Sequence, residues 1–172
     1  MEMAAAAKLR RFQDFLESAR PYTLRLQNLF GELAAGLSAD YKHPLLENRG
    51  EVVVQTKKNT ALVVFTSDTG LCGTYNSQVE ETVRSWIKNH PDKKAFLVFV
   101  GKHGASVLQN KQRETLAVFF DLRVNRLEEI HSGLAQTLEQ AYVQGKVDEV
   151  FLLYTHMESI TRFVPVTEQI LP

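Results

Sequence analysis

The segment 60-TALVVFTSDTGLCGTYNSQV-79 holds a solid apolar run, a polar turn with two glycines, the chain's one cysteine, and then helix-forming sequence. A fully apolar run of this length reads as a strand buried on both faces. The return to helical sequence after the turn makes a strand–turn–helix unit. Further units of the same kind follow it. Helix 76–89 turns Val79, Val83, Trp86 and Ile87 inward, and 95-AFLVFV-100 is a second buried strand. A short helix is expected over 104–109, a third strand over 116–120, and a helix over 126–142 with Leu127, Ile130, Leu134, Leu138 and Ala141 on one stripe. Strands are expected at 149–156 and 161–170, the last antiparallel after a tight connection. The pattern predicts an α/β fold: a mostly parallel five-stranded sheet with helices on both faces.

Upstream lies sequence of another kind. Residues 2 to about 37 are rich in Ala, Leu, Arg, Gln and Glu, all good helix formers. Leu9, Phe12, Leu16, Ala19, Leu26, Phe30, Leu33 and Leu37 alternate by three and four, with Thr23 filling the remaining place. That is a coiled-coil seam of about four heptads. At about 1.5 Å per residue the helix is on the order of 50 Å long, and Pro21 is expected to bend it. No later segment matches its length, so the helix lies on the sheet as an ordinary amphipathic helix, pairs with a second copy of itself, or takes a partner helix supplied by something else. The expected organisation is a long helix over 1–38, a linker over 39–59 containing Pro44, Gly50 and a short strand at 52-VVVQ-55, and an α/β domain over 60–172.

Twenty basic and twenty acidic residues balance, which removes the electrostatic basis for general nucleic-acid binding. No apolar run approaches the roughly 18 residues of a membrane-spanning helix, and one cysteine cannot form an internal disulfide. The loop 68-DTGLCG-73 sits where open α/β sheets bind ligands. Yet it is neither a dinucleotide fingerprint nor a phosphate loop: Leu71 and Cys72 crowd it and no Lys follows. A small nucleotide- or anion-binding module using this loop is the alternative reading. Cys72 as a nucleophile competes with Cys72 as a packing residue, and the five histidines are scattered without triad or metal spacing. The glycines of 101-GKHG-104 serve either an anion or the geometry of a strand-to-helix turn. Asp148 and Glu149 read as a solvated strand edge.

The stretch 66-TSDTGLCGTYN-76 resembles the signature of the gamma subunit of F-type rotary ATP synthases, in which an apolar strand runs into S-D-R-G-L-C-G, a small residue, an aromatic and Asn. The opening 3-MAAAAKLRR-11 resembles part of that family's N-terminal helix, 19-ARPY-22 and 43-HPLL-46 fit the same register, and residues 145–172 resemble its last strands. The resemblance implies a noncatalytic rotor element in the central stalk, coupling ion-driven rotation to ATP synthesis or hydrolysis, with no cofactor. It implies that the long helix is half of an antiparallel coiled-coil shaft whose other helix lies outside this sequence. Alpha and beta catalytic-ring subunits, an epsilon subunit and a membrane rotor ring become the expected partners, with no nucleic acid and no direct membrane insertion. The expected place is peripheral, on the cytoplasmic face of a bacterial plasma membrane, or on the matrix or stroma side in an organelle. Carried over residue by residue, Met3, Lys8, Arg10 and Arg11 lie on the shaft, and Asp68, Gly70, Leu71, Cys72 and Gly73 form the docking loop. Thr69 stands where the family has Arg, and Tyr75 where it has Phe.

Overall fold

A computed structural model describes residues 2–38, 41–46, 57–108, 114–159 and 162–172. Side chains are described from Ala7 onward, apart from Lys8. The chain divides into two compact units, Met1–Lys42 and His43–Pro172. The strand expected at 52–55 and most of the expected linker lie outside the described residues.

The first unit is helix α1, Glu2–Gly36. Pro21 sits inside it without ending it. Two hydroxyls near this point fold back onto the helix: Ser18 Oγ donates to the Phe15 carbonyl at 2.8 Å and Thr23 Oγ1 to the Ala19 carbonyl at 3.2 Å. Such bonds satisfy polar side chains locally where the proline has removed one backbone donor. Leu9, Phe12, Leu16, Phe30 and Leu33 along the seam are all exposed.

The second unit is built on strands β1 (Lys58–Phe65), β2 (Lys93–Val100), β3 (Thr115–Phe119), β4 (Glu149–Ser159) and β5 (Arg162–Leu171). Helices α2 (Tyr75–Asn89), α3 (Lys102–Leu108) and α4 (Leu127–Val143) connect them. The sheet order is β3-β2-β1-β4-β5. β1 pairs in parallel with both β2 and β4, β2 with β3, and only β5 is antiparallel, closing a hairpin on β4. β1 and β2 are buried on both faces because they lie inside the sheet and helices cover both sides. Alternate residues divide the core. Ala61, Val63, Val98 and Val100 meet Ile130, Leu138, Ala141 and Tyr142 of α4. Leu62, Val64, Leu97 and Phe99 meet Val79, Val83 and Trp86 of α2 and Leu108 of α3. Each large apolar side chain withdrawn from water stabilises the fold by roughly 1.5–3 kcal/mol.

Asp148 and Glu149 do not form the solvated strand edge expected of them: one is half-buried and the other buried. Glu149 is only 4% exposed; it accepts the Thr60 hydroxyl at 2.6 Å and is paired with Lys93. Asp148 Oδ2 accepts the Asn59 amide at 2.8 Å. The parallel register sets Thr60 opposite Glu149, and Lys93 starts the strand on the other side of β1. A carboxylate at the mouth of a central strand therefore meets a lysine from two strands away. Neither residue is near the other in sequence. The Lys93 ammonium also lies 5.1 Å from the centre of the Phe151 ring.

Removing one partner of a buried pair strands the other charge. We expect Lys93→Met to lower stability by about 3 kcal/mol or more. Adding Glu149→Leu should restore most of that loss, as read by urea denaturation.

Candidate functional site

The loop between β1 and α2 leaves the carboxyl end of β1, where the chain's strand order turns from β2 on one side to β4 on the other. In open α/β sheets that crevice is where ligands and partners dock. Residues 66–68 secure the loop from below. The Thr66 amide donates to the Val100 carbonyl at 2.8 Å, extending the β1–β2 ladder by one rung. The Thr66 hydroxyl accepts the Gly104 amide at 2.9 Å and donates to the Gly101 carbonyl at 3.2 Å. The Ser67 carbonyl accepts the His103 amide at 3.0 Å, and Asp68 Oδ1 accepts the Lys102 amide at 3.0 Å. The first three amides of α3 are thus satisfied by three successive loop residues. Asp68 Oδ2 takes the Leu122 amide, tying the loop to the turn after β3 as well.

This arrangement decides the question left open for 101-GKHG-104. The amides that would cradle an anion are occupied by the protein's own Thr66, Ser67 and Asp68. Gly101 has φ +112°, and a Cβ there would collide with the Thr66 carbonyl. Its glycine is a requirement of close approach. The turn that Asp68 reaches is itself braced. Asp121 has φ 65° and binds Arg123 and Arg126, whose second partner is Glu129. The Arg123 guanidinium, followed by that of Arg126, holds the Asp121 carboxyl below the usual range.

A second clamp holds the loop's far side. Asn76, 5% exposed, begins α2. Its Oδ1 accepts the Ser67 amide at 3.2 Å, and its Nδ2 donates to Ser67 Oγ at 2.8 Å and Cys72 Sγ at 2.9 Å. Cys72 is half-buried in this cage, with Asn76 Nδ2, Ser67 Oγ and the Thr69 carbonyl around its sulfur. Between the two clamps the loop rises clear of the protein. Gly73 has φ 59° and Leu71 φ 58°. Left-handed backbone costs a non-glycine residue roughly 1–2 kcal/mol. The Leu71 side chain so placed is fully exposed, at 109% of its reference area. Thr69 and Gly70 beside it are exposed too.

Next to the loop, a cleft of about 540 Å³ opens between the start of α2 and the β4–β5 hairpin. Tyr75, Gln78, Thr155, Met157 and Phe163 line it with Cys72–Thr74. Burial pushes the Tyr75 phenol up from its ordinary value, the Thr155 hydroxyl pulls it partly back, and Cys72 adds to the rise. Sequence reading also missed the contact between His103 Nε2 and Glu80 Oε1, 2.9 Å apart, which links α3 to α2. Arg10 and Arg11 are exposed on α1, while the side chains of Met3 and Lys8 lie outside the described residues. These four belong to the first unit, and Asp68, Gly70, Leu71, Cys72 and Gly73 to the second.

A family model described as ATP synthase matches residues 1–172. This chain belongs to the ATP synthase family. It is a homologue of the gamma chain: 33% identical over 174 residues to that of Brevibacillus brevis, and 37% over 176 residues to that of Heliobacterium modesticaldum. Both matches cover all of this chain but only 58% and 56% of those relatives, so the chain spans somewhat over half their length. Among solved structures, the central stalk and c-ring of Tetrahymena thermophila mitochondrial ATP synthase matches with a TM-score of 0.51 at 25% identity, covering 70% of this chain and 52% of that one. A chain of the Euglena gracilis mitochondrial ATP synthase matches with a TM-score of 0.54 over 97% of this chain and 58% of its own, at 12% identity, a likeness of fold. Among the described residues of this gamma-chain homologue, no helix is long and apolar enough to cross a membrane.

Two outcomes follow for the loop of this homologue. Asp68→Ala should cost about 2–3 kcal/mol, since two backbone donors lose a charged acceptor; hydrogen exchange should accelerate at Lys102 and Leu122 before the sheet amides. The Tyr75 phenol is raised on folding, so its contribution is complete below about pH 10 and is lost as pH rises through the folded value. Tyr75→Phe should therefore make the alkaline fall in melting temperature shallower.

Proposed function

We propose that this chain is a noncatalytic rotor element of an F-type ATP synthase, a gamma-type central-stalk component that couples ion-driven rotation to ATP synthesis or hydrolysis. The observation that carries this reading is the exposed apolar seam of α1, a surface built to be enclosed by other helices. In this reading α1 is half of a shaft, with Met3, Lys8, Arg10 and Arg11 along it, inside a ring of alpha and beta subunits. Asp68, Gly70, Leu71, Cys72 and Gly73 form a docking corner on the α/β unit, which also meets an epsilon subunit and a membrane rotor ring. The protein would sit peripherally, on the cytoplasmic face of a bacterial plasma membrane or the equivalent side in an organelle. Each shaft orientation would stabilise different states of the surrounding nucleotide sites, so the work is done by differential contact rather than bond making.

The rival reading, a nucleotide- or anion-binding module at 68–73, is disfavoured by the loop's own hydrogen bonds. Asp68 puts a carboxylate where an anion would need donors.

Tagged chain mixed with alpha, beta and epsilon subunits should recover them on affinity resin and hydrolyse no ATP by itself. Leu71→Asp should weaken recovery of its partner by about tenfold while leaving the melting temperature within a degree or two, because the exposed side chain supports nothing in the fold. ATP turnover by the purified chain alone would overturn the proposal. A melting-temperature rise in millimolar ATP, NAD or phosphate would favour the rival.

A further inference from the structure

The tip of the loop that lifts Leu71 is governed by one buried side chain, Asn76. Both ends of its amide are spent on the loop. Oδ1 accepts the Ser67 backbone amide at 3.2 Å. A backbone amide can only donate, so the oxygen must face it and Nδ2 must face the other way. One Nδ2 hydrogen then goes to Ser67 Oγ at 2.8 Å and the other to Cys72 Sγ at 2.9 Å. Both receivers donate in turn to one acceptor, the Thr69 carbonyl, from 2.5 Å and 3.9 Å. Thr69 and Cys72 flank the tip, Gly70 and Leu71. Two relays of hydrogen bonds therefore run from Asn76 to the near side of the tip, and one of them passes through its far side. Leu71 between them is exposed and has φ 58°.

We propose that Asn76 is the positioning residue of the docking corner: its side-chain amide fixes Thr69 and Cys72 and thereby holds Leu71 outward for a partner surface. The proposal rests on the reading of 68–73 as a docking loop, and adds to it a buried residue that acts through an exposed one. The chemistry singles out Asn. Its short side chain carries an acceptor and two donors in one plane. Aspartate has the same shape and keeps the acceptor for the Ser67 amide, but it offers no donor. Against a carboxylate, the Ser67 hydroxyl and the Cys72 thiol would turn their hydrogens toward position 76 and away from the Thr69 carbonyl. The relays would reverse and the tip would be released. Left-handed backbone is unfavourable for leucine, so a released tip relaxes, and a partner must then restore it on binding.

Two measurements on the full chain test this. By NMR, Leu71 of the parent should show a strong Overhauser effect between its own amide and Hα, the mark of a positive φ. In Asn76→Asp and Asn76→Ala that effect should fade while the signals of the sheet stay. Its retention in both variants would overturn the proposal. For docking, the immobilised chain is titrated with a mixture of alpha, beta and epsilon subunits. Leu71→Ala and Asn76→Ala should each weaken binding about fivefold, and the double variant should fall within about twofold of Leu71→Ala. A purely structural Asn76 would lower the melting temperature without that coupling. Additive losses in the double variant, or an Asn76→Ala chain that binds like the parent, would sink this inference and leave the docking loop standing. Parent-like binding by Leu71→Ala would instead remove the docking loop, and this inference with it. Should Asn76→Ala fail to fold, Ser67→Ala removes one relay, leaves the Asn76 amide in place, and carries the same cycle.

Discussion

The three loop residues that cap α3 hold the carboxyl end of the sheet in place. Thr66, Ser67 and Asp68 accept the amides of Gly104, His103 and Lys102 in turn. A short helix is marginal alone, and its first amides have no partner within it. Here those amides become the fixing points of a neighbouring loop. The same residues carry the β1–β2 ladder one step past its end and reach the turn after β3. Three adjacent strand ends are thereby locked to one another. Everything above them, from Thr69 to Gly73, can rise into solvent because nothing below can move.

The two ends of the sheet are built differently. At the amino ends of β1, β2 and β4 the interior is closed by Glu149, with Lys93 and Thr60 on it. Charge is buried there only because each group meets a partner. At the carboxyl ends the interior opens into the cleft beside Tyr75 and Phe163. The closed end fixes strand register, and the open end presents side chains.

The solid runs of β1, β2 and β4 were readable because buried strands need apolar residues on both faces, and 95-AFLVFV-100 can hardly be anything else. The stripe of α4 was readable from its 3.6-residue period, and Ile130, Leu138 and Ala141 are buried as it requires. The helical state of α1 was readable from its run of good helix formers. Start points were less so: β1 begins at Lys58, three residues before the apolar run, because backbone pairing with β2 asks nothing of side chains. The pair of Glu149 with Lys93 was hidden because 56 residues separate them and only the parallel register brings them together. Asp68 was chosen by likeness to a family loop, yet its bonds to Lys102 and Leu122 depend on where two other loops end. A local pattern carries no record of such distances.

Leu71 is where the pinned loop carries backbone strain. Its left-handed backbone is unfavourable, and its side chain gains no burial in return. A flexible loop would relax out of that conformation. This one is pinned on one side by Asp68 and on the other by the Asn76 clamp on Ser67 and Cys72. In the proposed docking role, the strain holds an apolar side chain outward, so that a partner surface would meet it without an ordering cost at the moment of contact. Thr69 beside it is uncharged and exposed. In that docking role, recognition at this corner would rest on the shape of the Leu71 side chain and the cleft next to the loop, and its strength should depend little on salt.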